Sequence, residues 1–425
     1  MRLPSLLRSV TAAALSISLS VTAAPVSQAV DLSTHWVATW TSMPQQVEPN
    51  NLPPAPYNSS EGQFVNATLR QTLHMSIGAE TIRIQISNTF GATPLTISAA
   101  SLALPTNGSI GVGSIDTTTL QPLTFNGSDS VTIPAGTVVY SDPAAFPVLP
   151  QSMLSVSLYL ATGQSGAIIT GHPGSRTTSW MQPGNHVSSA SLTAASTEHW
   201  YFLTAVEAHA PASSSALVIL GDSLTDGRGS ITDANTRWPD FLLRRLQASN
   251  NTRAHALAVV NEAAGGNAVL SGGLGPPLMT RYQRDALGVR GVSHVMIFEG
   301  VNDIGPAPDT TAGADAVADG LIAAYKTIIA ACKAQDLMTI GATITPFQGP
   351  GQAYSGVARE AARQKVNKWI LESGAYDYVV DFSKAVSDGD KLIAAYDSGD
   401  HLHMNPAGYE NLASVFDLET LVSGK

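Results

Sequence analysis

A chain of 425 residues with 44% hydrophobic side chains, 36 Gly and 25 Pro has enough material for two folded domains, and is neither a disordered polymer nor a coiled coil. Its 22 Lys plus Arg against 32 Asp plus Glu give a formal charge of −10. That balance removes the electrostatic case for nucleic acid or another acidic polymer, which would need clustered cations.

Arg2 and Arg8 precede an apolar stretch from Val10 to Val21, closed by the small-residue pattern Val21-Thr22-Ala23. This predicts a signal peptide over residues 1–23 and a secreted, extracellular protein. The stretch falls short of the roughly 20 apolar residues that span a bilayer, and no later segment qualifies, so no membrane span is expected. Charge is then distributed unevenly. Residues 24–210 hold three basic side chains (Arg70, Arg83, Arg176) and nine acidic ones, whereas residues 211–425 hold 17 and 23. A compositional break of this size marks two different halves.

In the first half, Ile82, Ile84 and Ile86 alternate with polar residues, and Leu154, Val156, Leu158 and Leu160 repeat the pattern. These are period-two strands with one buried face. Gly, Pro and Asn-Gly breaks recur between such runs and no helical period precedes residue 200, so residues 24–210 read as a β-sandwich. Five Asn-x-Ser/Thr sequons, at Asn58, Asn66, Asn107, Asn126 and Asn250, are candidate glycosylation sites, four of them in this half. Trp36, Trp40 and Trp180 with Tyr57 read as core aromatics, with a sugar-binding platform as the alternative.

After the Pro- and Ser-containing stretch Ala210 to Ser215, which reads as an inter-domain linker, short apolar strands alternate with amphipathic helices over residues 211–425. Strands are expected at Ala216–Leu220, Ala256–Val260, Val295–Phe298, Thr339–Thr345 and Tyr378–Phe382, and helices from near Trp238, Leu278, Ala312, Ser355 and Pro406. Strict alternation predicts an α/β domain with a parallel sheet covered on both faces. Ligands then bind beyond the carboxyl ends of the strands. The sole cysteine, Cys332, lies in an apolar Ala-rich run and reads as a buried core thiol.

The first strand runs into Gly221-Asp222-Ser223-Leu224, where Ser223 is either a nucleophile presented at the sheet edge or a helix N-cap. The second leads to Gly265-Gly266-Asn267 and the third to Glu299-Gly300-Val301-Asn302-Asp303. The backbone N–H groups of Ser223 and Gly266, with the Asn302 amide, would make a three-donor oxyanion hole. Near the C-terminus, Asp400-His401-Leu402-His403 precedes a helix at Pro406, at a spacing that lets Asp400 orient His403 toward the serine. His401 is the alternative base, and Asp400-His401-His403 could be read as a metal cluster, but no third ligand motif lies nearby and neither metal nor cofactor is expected. Asp222, Asp226 and Asp303 read as structural caps of loops and helix starts.

On these residues the sequence resembles the SGNH hydrolase superfamily, also called GDSL esterases and lipases, over residues 216–417. Its four named residues match Ser223, Gly266, Asn302 and His403, with Asp400 as the triad aspartate. Arg237-Trp238-Pro239, Arg284-Asp285 and Gly341 to Phe347 look like a secreted branch related to a rumen bacterial esterase from a xylanase gene cluster. Ala263 and Ala264 depart from the residues common before the oxyanion glycine. The resemblance implies a three-layer αβα fold and a serine ester hydrolase working through an acyl-enzyme. The expected substrates are acetyl or other short acyl esters of plant polysaccharide. A lipase or arylesterase, and a non-catalytic carbohydrate-binding or wall-associated protein, are the alternatives.

Overall fold

Alternating apolar residues pair into sheets where both neighbours share the same two-residue period. In the computed structural model, which describes Met1 and residues 33–423, this happens twice in the first half. The expected signal segment, beyond Met1, lies outside the described residues. Thr34–Thr41, Leu203–Pro211, Ile82–Ser87 and Val138–Tyr140 form one antiparallel sheet in that order. A second places Ala67–His74 and Met153–Leu160 at its centre, paired from Ala67↔Leu160 to His74↔Met153. Ile82, Ile84, Ile86 and Val206 of the first sheet share one core with Leu69, Leu73, Leu154, Val156 and Leu158 of the second. The first half is therefore a sandwich whose inner faces supply the apolar burial.

The second half is built on five parallel strands: Ser215–Gly221 (β1), Leu257–Ala263 (β2), Val292–Phe298 (β3), Met338–Ala342 (β4) and Tyr378–Val380 (β5). Their spatial order is β2-β1-β3-β4-β5. The strand order reverses beside β1, which places a crevice at the carboxyl ends of β1 and its neighbours. Register makes the crevice specific. Gly221 at the end of β1 is level with Ala263 on β2 and Phe298 on β3, so the residues that follow all three strands emerge side by side.

Several boundaries differ from the sequence expectation, among them the start of β3, which lies three residues before Val295. β2 continues through Asn261, Glu262 and Ala263, three residues beyond Val260. β4 stops at Ala342 because the Asn367 side chain takes over the backbone of Ile344, accepting from its N–H at 2.7 Å and donating to its carbonyl at 2.8 Å. β5 ends at Val380, and Phe382 opens a short helix, Phe382–Val386, whose N-cap Asp381 accepts from the Lys384 amide. The helix starting at Leu278 spans only Leu278–Tyr282 before a π-helical turn over Gln283–Leu287.

The two halves meet along Thr34–Thr41. Val37, Ala208 and Ala210 join the core of the parallel sheet, and the Ala38 amide donates to the Arg290 carbonyl at 2.9 Å. The Ser76 hydroxyl accepts from the Val259 amide of β2 at 2.6 Å. Only Ala212, Ser213 and Ser214 separate Leu203–Pro211 from β1, so the expected linker is a tight strand-to-strand connection.

The aromatics do not form a platform. Trp40 and Tyr57 are buried, Trp40 edge-on to Trp200 at 5.0 Å, while Trp36 lies beneath Arg83 and Trp180 donates to the Gly111 carbonyl. Cys332 is buried on the long helix Thr311–Lys333, and burial pushes its thiol up to about 11. All five sequon asparagines are exposed. Among the described residues no helix is long and apolar enough to cross a membrane.

Candidate active site

β1 leads directly into a one-turn helix, Ser223–Asp226. Its cap is Asp222, whose carboxylate accepts from the Leu224 amide at 2.9 Å. Because the neighbour does the capping, the Ser223 hydroxyl is free for other work, which resolves the ambiguity left by the sequence. Gly221 is small because of close approach: a Cβ there would lie 2.7 Å from the Thr225 hydroxyl oxygen. Thr225 in turn accepts from the Trp238 indole N–H at 3.1 Å, tying the turn to the helix Trp238–Gln247.

The Ser223 hydroxyl lies 2.7 Å from His403 Nε2, and His403 Nδ1 lies 2.6 Å from Asp400 Oδ2. Ser223 and His403 are buried, and Asp400 sits at the cavity rim. The Asp400 carboxylate also accepts from the backbone amides of His403 at 2.8 Å and Leu402 at 3.1 Å. Burial raises the cost of charging it, but these bonds and the His403 ring prevail and hold its carboxyl well below the usual carboxylate range. Asp400 is thus an anion at the end of a continuous Ser223–His403–Asp400 chain of contacts. Nδ1 carries its proton toward Asp400, and Nε2 is left as an acceptor for the Ser223 hydroxyl.

His401 is turned elsewhere. It adopts a left-handed backbone, φ +61°, and its Nδ1 lies 2.7 Å from Asp397 Oδ2. The stretch is bent, and each histidine has its own carboxylate. Among the described residues no group of three or more His, Cys, Asp or Glu is placed to hold a metal ion.

Gly266 has φ +72° and Leu274 packs against it, so a side chain there would be strained and crowded. Among the described residues neither its N–H nor that of Ser223 meets a protein acceptor. Asn302 donates one amide hydrogen to the Asn267 carbonyl at 2.8 Å, and Tyr354 donates its hydroxyl to Asn302 Oδ1 at 2.9 Å. These two bonds fix the amide orientation and leave its second hydrogen available. Ser223, Gly266, Tyr354, Asp400 and His403 line one cavity of about 570 Å³, and Asn302 is joined to that lining through Tyr354.

The three aspartates have distinct tasks. Asp222 caps the turn that carries Ser223, and burial above all pushes its carboxyl up to about 7. Asp303 accepts from the Val269 and Leu270 amides, both at 2.8 Å, anchoring the chain just past Gly266. Asp226 joins the two halves of the molecule. It accepts from the Gly265 amide at 2.9 Å, and its other oxygen lies 2.9 Å from Nε2 of His172, a buried residue of the sandwich. His172 Nδ1 lies 3.0 Å from the Met43 carbonyl.

Beneath the site, buried Arg281 ties the strand ends together. It donates to the carbonyls of Gly221 and Glu262, to Asn267 Oδ1, and to the carboxylates of Glu299 at 3.1 Å and Asp285 at 3.4 Å. Tyr354, Arg281 and His172 were not singled out from the sequence. An arginine four residues before Asp285 was the one local signal for Arg281, whereas Tyr354 and His172 reach the site only through tertiary contacts.

Residues 219–410 match the sequence model of the GDSL-like lipase/acylhydrolase family. Similar solved structures include an acetyl xylan esterase variant from Geobacillus stearothermophilus, at 22% identity and TM-score 0.37, covering 48% of this chain and 94% of that one. A GDSL-like lipase from Bacteroides thetaiotaomicron is 14% identical with TM-score 0.34, covering 49% and 87%. A member of the lipolytic G-D-S-L family from Veillonella parvula is 18% identical with TM-score 0.35, covering 47% and 95%. No curated protein matches the chain. Residues 219–410 are therefore a GDSL-like lipase/acylhydrolase domain, and the chain that carries it is a carboxylic ester hydrolase.

Proposed function

We propose that the ester is cleaved by Ser223 through an acyl-enzyme, and that the protein is a secreted, glycosylated enzyme acting on short acyl esters of carbohydrate. The observation that carries the mechanism is the continuous chain Ser223–His403–Asp400, at 2.7 and 2.6 Å, opening into a cavity. His403 takes the hydroxyl proton as Ser223 Oγ attacks the ester carbonyl. The tetrahedral oxyanion is held by the Ser223 and Gly266 N–H groups and the second Asn302 amide hydrogen. Asp400 stabilises the imidazolium, which then protonates the departing alcohol. Water, deprotonated by the same histidine, attacks the acyl group and releases the acid.

Secretion is supported by the leader pattern in residues 1–23, and glycosylation by five exposed sequons. The carbohydrate reading is supported by the branch resemblance and by the polar character of much of the cavity wall. Ser223→Ala tests the mechanism. Turnover of p-nitrophenyl acetate is expected to fall by at least ~10⁴-fold with an unchanged circular dichroism spectrum. Turnover within tenfold of wild type would overturn the assignment of Ser223.

A further inference from the structure

The cavity over Ser223 is not closed by the αβα half alone. Gln45, Glu48, Asn51, Arg176 and His199, all from the sandwich, line it opposite Gly266 and His403. Its volume of about 570 Å³ is that of a small-molecule site, far larger than an acetyl group requires. The excess space must take the alcohol half of an ester, and its chemistry is set by these sandwich residues.

Glu48 accepts from Gln45 Nε2 at 2.6 Å and from Asn51 Nδ2 at 3.1 Å. Among the described residues no cation lies within salt-bridge distance of it, so the carboxylate keeps lone pairs for another donor. His199 donates from Nδ1 to the Pro173 carbonyl at 2.7 Å. Burial, the leading influence, pulls its ring pKa down despite that bond, so Nε2 remains a neutral acceptor. Arg176 is held in a left-handed conformation, φ +49°, and its buried Nε has no protein acceptor. The wall therefore offers two acceptors and one strong donor around half-buried positions.

We infer that the sandwich builds the alcohol subsite of the esterase, and that Glu48, His199 and Arg176 select a polyhydroxylated leaving group such as a sugar ring. Adjacent sugar hydroxyls donate and accept at once and can satisfy all three groups. A p-nitrophenyl or long-chain alcohol has no hydroxyl beyond the ester oxygen and leaves them unpaired. A site built to hydrogen-bond hydroxyls rejects analogues lacking them far more strongly than an apolar pocket distinguishes sizes. This inference rests on the Ser223 esterase reading and adds the second domain to it.

The test compares two esters with the same acyl group, an acetylated xylo-oligosaccharide and p-nitrophenyl acetate, on the full chain. In Glu48→Ala the ratio of kcat/KM for the sugar ester over the aryl ester is expected to fall about tenfold or more. Asn51→Ala, at the end of the short 3-10 turn Pro49–Asn51, removes one clamp on Glu48 and is expected to lower the same ratio about threefold. It also decides the matter if Glu48→Ala does not fold. Ratios within twofold of wild type in the folded variants would overturn the subsite. Wild type that cleaves only the aryl ester would also overturn it while leaving the esterase reading intact. Retention of activity in Ser223→Ala would instead overturn the esterase reading itself.

Discussion

The two halves of this molecule each bury an arginine completely, and they stabilise it by different means. In the sandwich, Arg70 donates to the Ser157 hydroxyl and to the carbonyls of Gly113 and Ser189, at 2.8 to 2.9 Å, with no carboxylate among the described residues in contact. Burial lowers its guanidinium to about 10. In the αβα half, Arg281 also binds carbonyls but is neutralised by Glu299 and Asp285. The difference follows the charge distribution, since residues 24–210 have only nine acidic side chains to spare. A charge-poor domain holds a buried cation with oriented peptide dipoles, whereas the catalytic half uses ion pairs and thereby ties three strand ends beneath the site.

The comparison breaks most visibly when the cations are removed. Arg281→Met leaves Glu299 buried without its ion-pair partner, and a loss of about 3–5 kcal/mol in urea unfolding at pH 7 is expected. Arg70→Met leaves only neutral acceptors unpaired and should cost about 2–3 kcal/mol. pH separates the two mechanisms. Burial already raises the Glu299 carboxyl well above its usual value, against the pull of Arg281, and deleting Arg281 raises it further. Between the unfolded pKa of about 4.3 and that raised value the folded state holds the extra proton, so stability declines as pH rises. Acidifying from pH 7 to 5 should therefore recover part of the loss in Arg281→Met and none in Arg70→Met. Equal pH responses in the two variants would show that carboxylates do not govern the difference.

A smaller effect is expected where the halves meet. Gly174 has no need of a left-handed backbone, yet a Cβ there would lie 1.7 Å from Asp226 Oδ2. Gly174→Ala must displace Asp226, the acceptor of the Gly265 amide, and so shift the neighbouring Gly266 N–H. The methyl should cost about 1–3 kcal/mol of stability, and kcat on p-nitrophenyl acetate should fall by roughly 10- to 100-fold. A variant that loses stability but keeps its kcat would show that the sandwich is not coupled to the oxyanion loop.

What the sequence made legible was what local pattern encodes. The period-two isoleucines located the sandwich, strand-then-polar runs pointed to Ser223, Gly266 and Asn302, and a three-residue spacing ahead of a helix pointed to Asp400 and His403. Boundaries failed where a side chain captured backbone, as Asn367 does at Ile344. The linker expected at residues 210–215 proved to be strand on both sides, because Ser and Pro there punctuate a sheet edge rather than release the chain. His172, Glu48 and Arg176 were invisible as site residues because their roles depend on how one domain packs on another. No periodicity records that.

Tyr354 supplies the finest test of the division between groups that act and groups that aim them. It lies in a loop without regular structure, and its hydroxyl donates to Asn302 Oδ1, while the Asn267 carbonyl holds one amide hydrogen. Phenylalanine fills the same space and removes only the oxygen. The Asn302 amide then loses one of the two bonds that fix its orientation and is held by the Asn267 carbonyl alone, so part of its population can turn its second hydrogen away from the developing oxyanion. A bond of this kind is worth about 0.5–1.5 kcal/mol, so Tyr354→Phe should lower kcat on p-nitrophenyl acetate by about two- to tenfold. KM should change little, because the oxyanion forms after binding. Asn302→Ala should lose about 100- to 1,000-fold, and adding Tyr354→Phe to it should then cost nothing further. If the two losses multiply instead, Tyr354 acts on the substrate directly and does not work through Asn302.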